Sequence, residues 1–146
     1  MNMNLDIITT KLELDIYGFG GVAPGDPVAT VFKLSGKMWD VVKSNHLENK
    51  GKNIWVYGPD HRVFAGVELV NPSGNNHGLE KMTIVLEQYA YGKHIGSYNL
   101  IKQTGQFMRD ELAKQNRQVV LPYIEIYGHW NKDESKLETE LIMNLK

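Results

Sequence analysis

Apolar residues along this chain recur with two different periods, and the switches between those periods divide it into elements. Leu12, Leu14 and Ile16 alternate with Glu13, Asp15 and Tyr17, which predicts a strand over Lys11 to Phe19 with one buried face. Asp26 followed by Pro27 is a helix N-cap and first-turn pair. Behind it Val31, Leu34, Met38, Val41 and Val42 fall at helical spacing through Asn45, with Phe32 and Trp39 beside the stripe and Trp39 expected as packing. Period two returns in Asn53 to Tyr57, where Ile54 and Val56 oppose Trp55 and Tyr57. After the turn Gly58-Pro59-Asp60 it continues through Arg62 to Val70, with Val63, Ala65, Val67 and Leu69 inward and Phe64, Gly66, Glu68 and Val70 opposite.

Asn71-Pro72-Ser73-Gly74-Asn75-Asn76-His77-Gly78 is the strongest loop signal, and beyond it the pattern starts again. Leu79 to Tyr91 reads as one long strand with Tyr89 and Tyr91 on one face. His94 to Asn99 turns into a helix carrying Leu100, Thr104, Phe107, Met108, Glu111 and Leu112 on one side, ended by Gln115 to Gln118. A strand follows through Leu121 to Trp130, then the polar turn Asn131 to Ser135, and a last strand Leu137 to Leu145 with Leu141, Met143 and Leu145 inward.

Each half therefore reads strand, helix, strand, strand, over residues 11–70 and 79–146 of a single 146-residue unit. Trp55-Val56-Tyr57-Gly58 lies over Glu125-Ile126-Tyr127-Gly128, and Val67-Glu68-Leu69 over Thr139-Glu140-Leu141, as a duplication with pseudo-two-fold symmetry would leave them. The expected fold is α+β, a joined antiparallel sheet with both helices on one face.

Within this frame Tyr123, Glu125 and Tyr127 share one strand face and Ile124 and Ile126 the other. A carboxylate flanked by phenol rings suits a cationic, hydrophobic guest. The alternative is the solvated side of a half-covered sheet. If the helices bury the aliphatic faces, the opposite faces collect Tyr17, Trp55, Tyr57, Phe64, Glu68, Tyr89, Tyr91, Tyr123, Glu125 and Tyr127. So much contiguous exposed aromatic area is uncommon without a function, and a binding cleft on the side away from the helices is expected.

Composition removes other classes. Sixteen Lys and Arg against seventeen Asp and Glu leave a net charge of −1 and no basic patch for phosphate, so nucleic acid is not an expected partner. The absence of cysteine excludes thiol catalysis and thiolate metal sites. His46, His61, His77, His94 and His129 are too scattered for a metal or a base pair, and no metal or cofactor is expected. Ser97 has no nucleophile-elbow context and reads as a helix cap. Gly18-Phe19-Gly20-Gly21-Val22-Ala23 fits G-x-G-x-x-A formally, but Pro24-Gly25-Asp26-Pro27 intervenes before any helix, so it is expected to be a flexible loop. Met1-Asn2-Met3-Asn4-Leu5-Asp6 lacks a secretory signal, and no run approaches 18 apolar residues, so a soluble cytoplasmic protein without a membrane partner is the default.

His94-Ile95-Gly96-Ser97-Tyr98 entering a helix, then Pro122-Tyr123-Ile124-Glu125-Ile126-Tyr127, then Glu138-Thr139-Glu140-Leu141, resembles the GyrI-like family of small-molecule-binding domains, the effector-binding domains of AraC-type and multidrug-responsive regulators. The resemblance is clear over residues 79–146 and weaker over residues 11–70, where Phe64-Ala65-Gly66-Val67-Glu68 supports it. It implies a cleft on the pseudo-axis with Glu125 as its carboxylate, and Trp55, Tyr89, Tyr91 and Tyr127 as walls; Tyr17, Glu68 and Tyr123 complete the candidate ligand set by position. It also implies capture of hydrophobic, cationic small molecules by a stand-alone module with no room for a DNA-binding helix-turn-helix. The alternatives it leaves are hydrolysis of strained hydrophobic genotoxins with Glu125 as the catalytic group, and inhibition of gyrase as a protein partner. The balanced charge does not encourage the last.

Overall fold

The computed structural model describes residues 5–72 and 74–146; Met1 to Asn4 of the N-terminal stretch and Ser73 of the midpoint loop lie outside the described residues. The chain runs β1 (Leu5–Ile8), β2 (Leu12–Val22), α1 (Pro27–Ser44), β3 (Asn53–Tyr57), β4 (Arg62–Val67), β5 (Glu80–Leu86), β6 (Tyr89–Ile95), a 3-10 turn (Tyr98–Leu100), α2 (Ile101–Lys114), β7 (Val119–Tyr127), a second 3-10 turn (Glu134–Lys136) and β8 (Glu138–Leu145). All eight strands form one antiparallel sheet in the order β1-β6-β8-β7-β3-β4-β2-β5.

That order is symmetric about its centre. In each half the strand that follows the helix, β3 or β7, lies innermost, the next one, β4 or β8, sits outside it, and the strand before the helix, β2 or β6, lies outside that. The repeat units are joined back to back through β3 and β7, where Trp55 pairs with Glu125. These are the two residues that the internal repeat superposes, so the pseudo-axis passes between them. α1 begins where Asp26 and Pro27 predict: the Asp26 carboxylate accepts from Val28 N–H, which satisfies one of the otherwise unpaired first-turn donors.

Four expectations about elements are corrected. Leu79 to Tyr91 is two strands rather than one, broken at Glu87 and Gln88, and the two halves of that stretch join different edges of the sheet. β1 was not expected; it adds to β6 as a four-residue edge strand. β4 stops at Val67, and Leu69 only bridges Asn49. Gly18 to Val22 is not a loop but the second half of β2, paired with β4. Gly18 is required there by close approach, because a Cβ would fall 1.8 Å from the carbonyl oxygen of Ala65.

The exchange of outer strands decides the shape of the sheet. β1 and β2 stand first and seventh in the order yet are joined by only Thr9, Thr10 and Lys11, and β6 and β5 stand second and eighth yet are joined by Glu87 and Gln88. Laid flat, strands six positions apart would be about 29 Å from each other, at about 4.8 Å per neighbour. A link of two or three residues reaches only about 10–14 Å, at about 3.5 Å per residue. The sheet must therefore curl until its ends meet, and its concave face becomes a core of its own. Ile16, Ile54, Val56, Phe64, Ile84, Leu86, Ile124 and Ile142 fill it, with Leu12, Leu14, Met82, Tyr89, Tyr91 and Ile126 at its margin. The helices pack on the other, convex face: α1 through Val31, Met38 and Val42, and α2 through Ile101, Met108 and Leu112.

This reverses one inference. The isoleucine and valine face of β3 and β7 is buried by the sheet closing on itself, not by the helices. Trp55, Tyr57, Tyr123, Glu125 and Tyr127 consequently stand on the helix side, not away from it.

Candidate functional site

α1 packs over β2 and β4, and α2 over the other half, so the convex face of the central pair β3 and β7 is left between the helices. There the structure opens a cavity of about 870 Å³, floored by Trp55, Tyr57, Tyr123, Glu125 and Tyr127 and walled by Val28 and Phe32 from α1, by Tyr98 before α2, and by Lys102, Gly105 and Arg109 from α2. Trp130, just beyond β7, stands at its edge with 74% of its surface exposed.

Glu125 is the centre of the floor and is only 7% exposed. A bare carboxylate would be costly there, since a buried charge is tolerated only when partnered. Strand alternation supplies the partners: residues two before and two after point the same way, so the Tyr127 hydroxyl donates to Oε1 at 2.6 Å and the Tyr123 hydroxyl to Oε2 at 2.7 Å. Burial, reinforced by the negative charge of Glu125, raises the pKa of Tyr123 and Tyr127 far above the usual phenol value. Tyr57 is raised for the same two reasons in the same order. All three rings therefore keep their protons and remain donors.

The rings brace one another. Trp55 and Tyr127 are 4.7 Å apart and tilted, Tyr57 stacks on Tyr123 at 5.8 Å, and Tyr98 and Phe32 meet Tyr127 and Trp55 edge-on at 5.4 and 6.5 Å. The indole N–H of Trp55 is buried with no acceptor among the described residues. Arg109 holds its guanidinium 5.5 Å over the Tyr123 ring. Tyr98 is presented by a locked turn. The Ser97 carbonyl receives the His94 Nε2–H at 2.8 Å, Nδ1 of the same ring shares a hydrogen bond with the Thr104 hydroxyl at 2.7 Å, and the Ser97 side chain caps Asn99 N–H.

Of the expected ligand residues, the structure gathers Trp55, Tyr123, Glu125 and Tyr127 into the cavity. It does not bring the other four there. Tyr89 and Tyr91 face the concave core, and the Tyr91 hydroxyl donates to Glu140 at 2.6 Å. Tyr17 is packed beneath α1, and Glu68 pairs with Lys50 at 3.0 Å. For Tyr17 alternation holds within β2 but cannot say which side the helices take, whereas Glu68 lies beyond the end of β4, where alternation no longer applies.

Sequence reasoning missed the helical wall. Phe32, 69% exposed on α1 and off its buried stripe, was the available signal, as was Tyr98 at the start of the second helical segment. Among the described residues no cluster of His, Asp and Glu could hold a metal ion, and no helix is long and apolar enough to cross a membrane.

A curled antiparallel sheet of two back-to-back repeats, with an aromatic cavity between two helices, defines the GyrI-like fold that the sequence resemblance implies. The C-terminal domain of EcmrR has this fold, superposing with a TM-score of 0.74 at 15% identity over 99% of this chain and 97% of that one; in EcmrR bound to DNA, the chain matches 57% of the protein's length. SAV2435 bound to tetraphenylphosphonium matches at 0.61 with 14% identity over 100% of this chain and 94% of that one. A hydrolase from Listeria innocua matches at 0.58 with 10% identity over 97% and 91%. No family model matches the sequence, and no curated protein does.

Proposed function

We propose that this protein binds a hydrophobic small molecule in the cavity between α1 and α2, with a cationic centre of the ligand placed over Glu125. The observation that carries the reading is a buried carboxylate at the floor of an aromatic cavity of about 870 Å³, large enough for a drug-sized guest. Flat rings accept many shapes and attract cations through their faces, each by about 0.5–2 kcal/mol, so affinity would rest on few directional bonds. Tetraphenylphosphonium on a protein of the same fold supports this choice of ligand class. A role in transcriptional regulation fits the likeness to EcmrR and belongs to the same proposal.

Hydrolysis with Glu125 as general base is the second reading, supported by the Listeria innocua hydrolase that shares the fold. Two features favour binding over it. Each carboxylate oxygen already accepts a tyrosine hydroxyl, so an attacking water has to share or displace one. The neighbouring phenols, pushed up in pKa, are poor proton donors to a leaving group.

Quenching of Trp55 fluorescence tests the reading, with tetraphenylphosphonium as the cation and triphenylphosphine oxide as its neutral counterpart. Glu125→Gln is expected to weaken the cation by about tenfold or more and the neutral compound by about twofold or less. Equal losses for the two would remove Glu125 from the recognition of charge.

A further inference from the structure

The charges around the cavity include more than the partner of a cation. Glu125 is the one acid among the lining residues, whereas two bases line the same space, Lys102 and Arg109. They stand seven residues apart on α2, two turns along one face, and the Arg109 guanidinium lies over Gly105, its Nη1 3.2 Å from where a Cβ would stand. Neither takes part in an ion pair among the described residues. The acids nearest along α2 are engaged elsewhere: Asp110 accepts from Gln106, and Glu111 pairs with Lys114. Arg109 is also not sweeping freely through solvent, because it rests over the ring of Tyr123, the same ring whose hydroxyl holds Glu125.

We propose that the cavity selects zwitterionic hydrophobic ligands, a cationic centre lying over Glu125 and an anionic group, most simply a carboxylate, lying against Arg109 with Lys102 behind it. The proposal rests on the ligand-binding reading above and sharpens it. A guest with positive charge alone meets one carboxylate that already has two hydroxyl donors, and it is opposed by two cations on α2. A guest with both charges answers each pole and leaves no lining charge facing its own sign. Arginine suits the outer pole because its planar fork can take both oxygens of a carboxylate, and its position over an aromatic face fixes where that fork points.

Rhodamine B and its ethyl ester separate these cases, since they share one hydrophobic cationic frame and differ in a free carboxylate. Binding of each to the full chain is followed by fluorescence anisotropy, with wild type, Arg109→Gln and Arg109→Lys compared. Wild type is expected to hold the zwitterion about fivefold or more tighter than the ester. Arg109→Gln should erase that preference by weakening the zwitterion far more than the ester, and Arg109→Lys should restore part of it. An ester that binds wild type as tightly as the acid overturns the proposal, and so does an Arg109→Gln variant that weakens both dyes alike, which would make Arg109 a packing residue. If neither dye binds, the cavity is not a site for hydrophobic cations, and the broader reading falls together with this one.

Discussion

At the scale of single residues, the arrangement is set by what a carboxylate needs once water is withdrawn. Glu125 is kept inside by two phenols that share its strand face, and the same burial that makes those phenols necessary holds on to their protons. Tyr57, Tyr91, Tyr123 and Tyr127 all have raised pKa values, with burial the first cause in each. The linkage has a definite sign. The folded state binds these protons more tightly than the unfolded chain, so their contribution to stability is complete below the ordinary phenol pKa of 10.0 and declines as pH rises beyond it. Alkaline titration followed by phenolate absorbance should show these tyrosines ionising only as the fold is lost. Tyr127→Phe should lower stability near neutral pH by about 1–3 kcal/mol in urea unfolding, because it strips a donor from a buried charge, and should also flatten the alkaline loss. Full ionisation of all seven tyrosines near pH 10 with the fold intact would contradict the buried network.

At the scale of elements, two glycines have opposite meanings. Gly18 lies in β2 where it pairs with β4, and Ala there would drive its Cβ into backbone that cannot yield, so Gly18→Ala is expected to cost about 3 kcal/mol or more. Gly36 lies in the exposed middle of α1 with nothing within 4 Å of its missing Cβ. Gly36→Ala should raise stability by about 0.5–1 kcal/mol, since the helix gains propensity and the unfolded chain loses freedom. Chemical denaturation of both variants checks the pair, and a neutral Gly18→Ala would show that β2 and β4 are not held at this separation. Gly18, the first position of the G-x-G-x-x-A run, is explained by this contact. That glycine serves the close pairing of two strands, and a sequence pattern cannot tell that use from a nucleotide loop.

At the scale of the whole molecule, the two halves are tied by exchange. β1 leaves its own half to pair with β6, and β5 leaves its own to pair with β2, so each repeat is completed by a strand from the other side. β3 and β7, paired at the centre and buried on the concave side by Ile54, Val56 and Ile124, should then report global unfolding. β1, four residues long and paired on one side only among the described residues, should open first. Native-state amide exchange is expected to rank β3 and β7 slowest and β1 fastest among the strands. A β1 as protected as β7 would show that its pairing is part of the global cooperative unit.

How far the sequence reaches can be judged from β7 and the two helices. Alternation alone determined that Tyr123, Glu125 and Tyr127 share a face, since successive side chains on any strand point to opposite sides, and Asp26-Pro27 determined where α1 starts for an equally local reason. The repeat determined that Trp55 and Glu125 are counterparts. None of these says which side of the sheet the helices cover, because an aliphatic face can be buried by a helix or by the sheet itself. The short links between distant strands settled that in favour of the curled sheet, turning Tyr89 and Tyr91 toward the concave core and exposing Glu125 to the space between α1 and α2. Arg109 and Phe32 join the cavity for the same reason: they are far from Glu125 in sequence, and only the packing of helices on the convex face brings them to it.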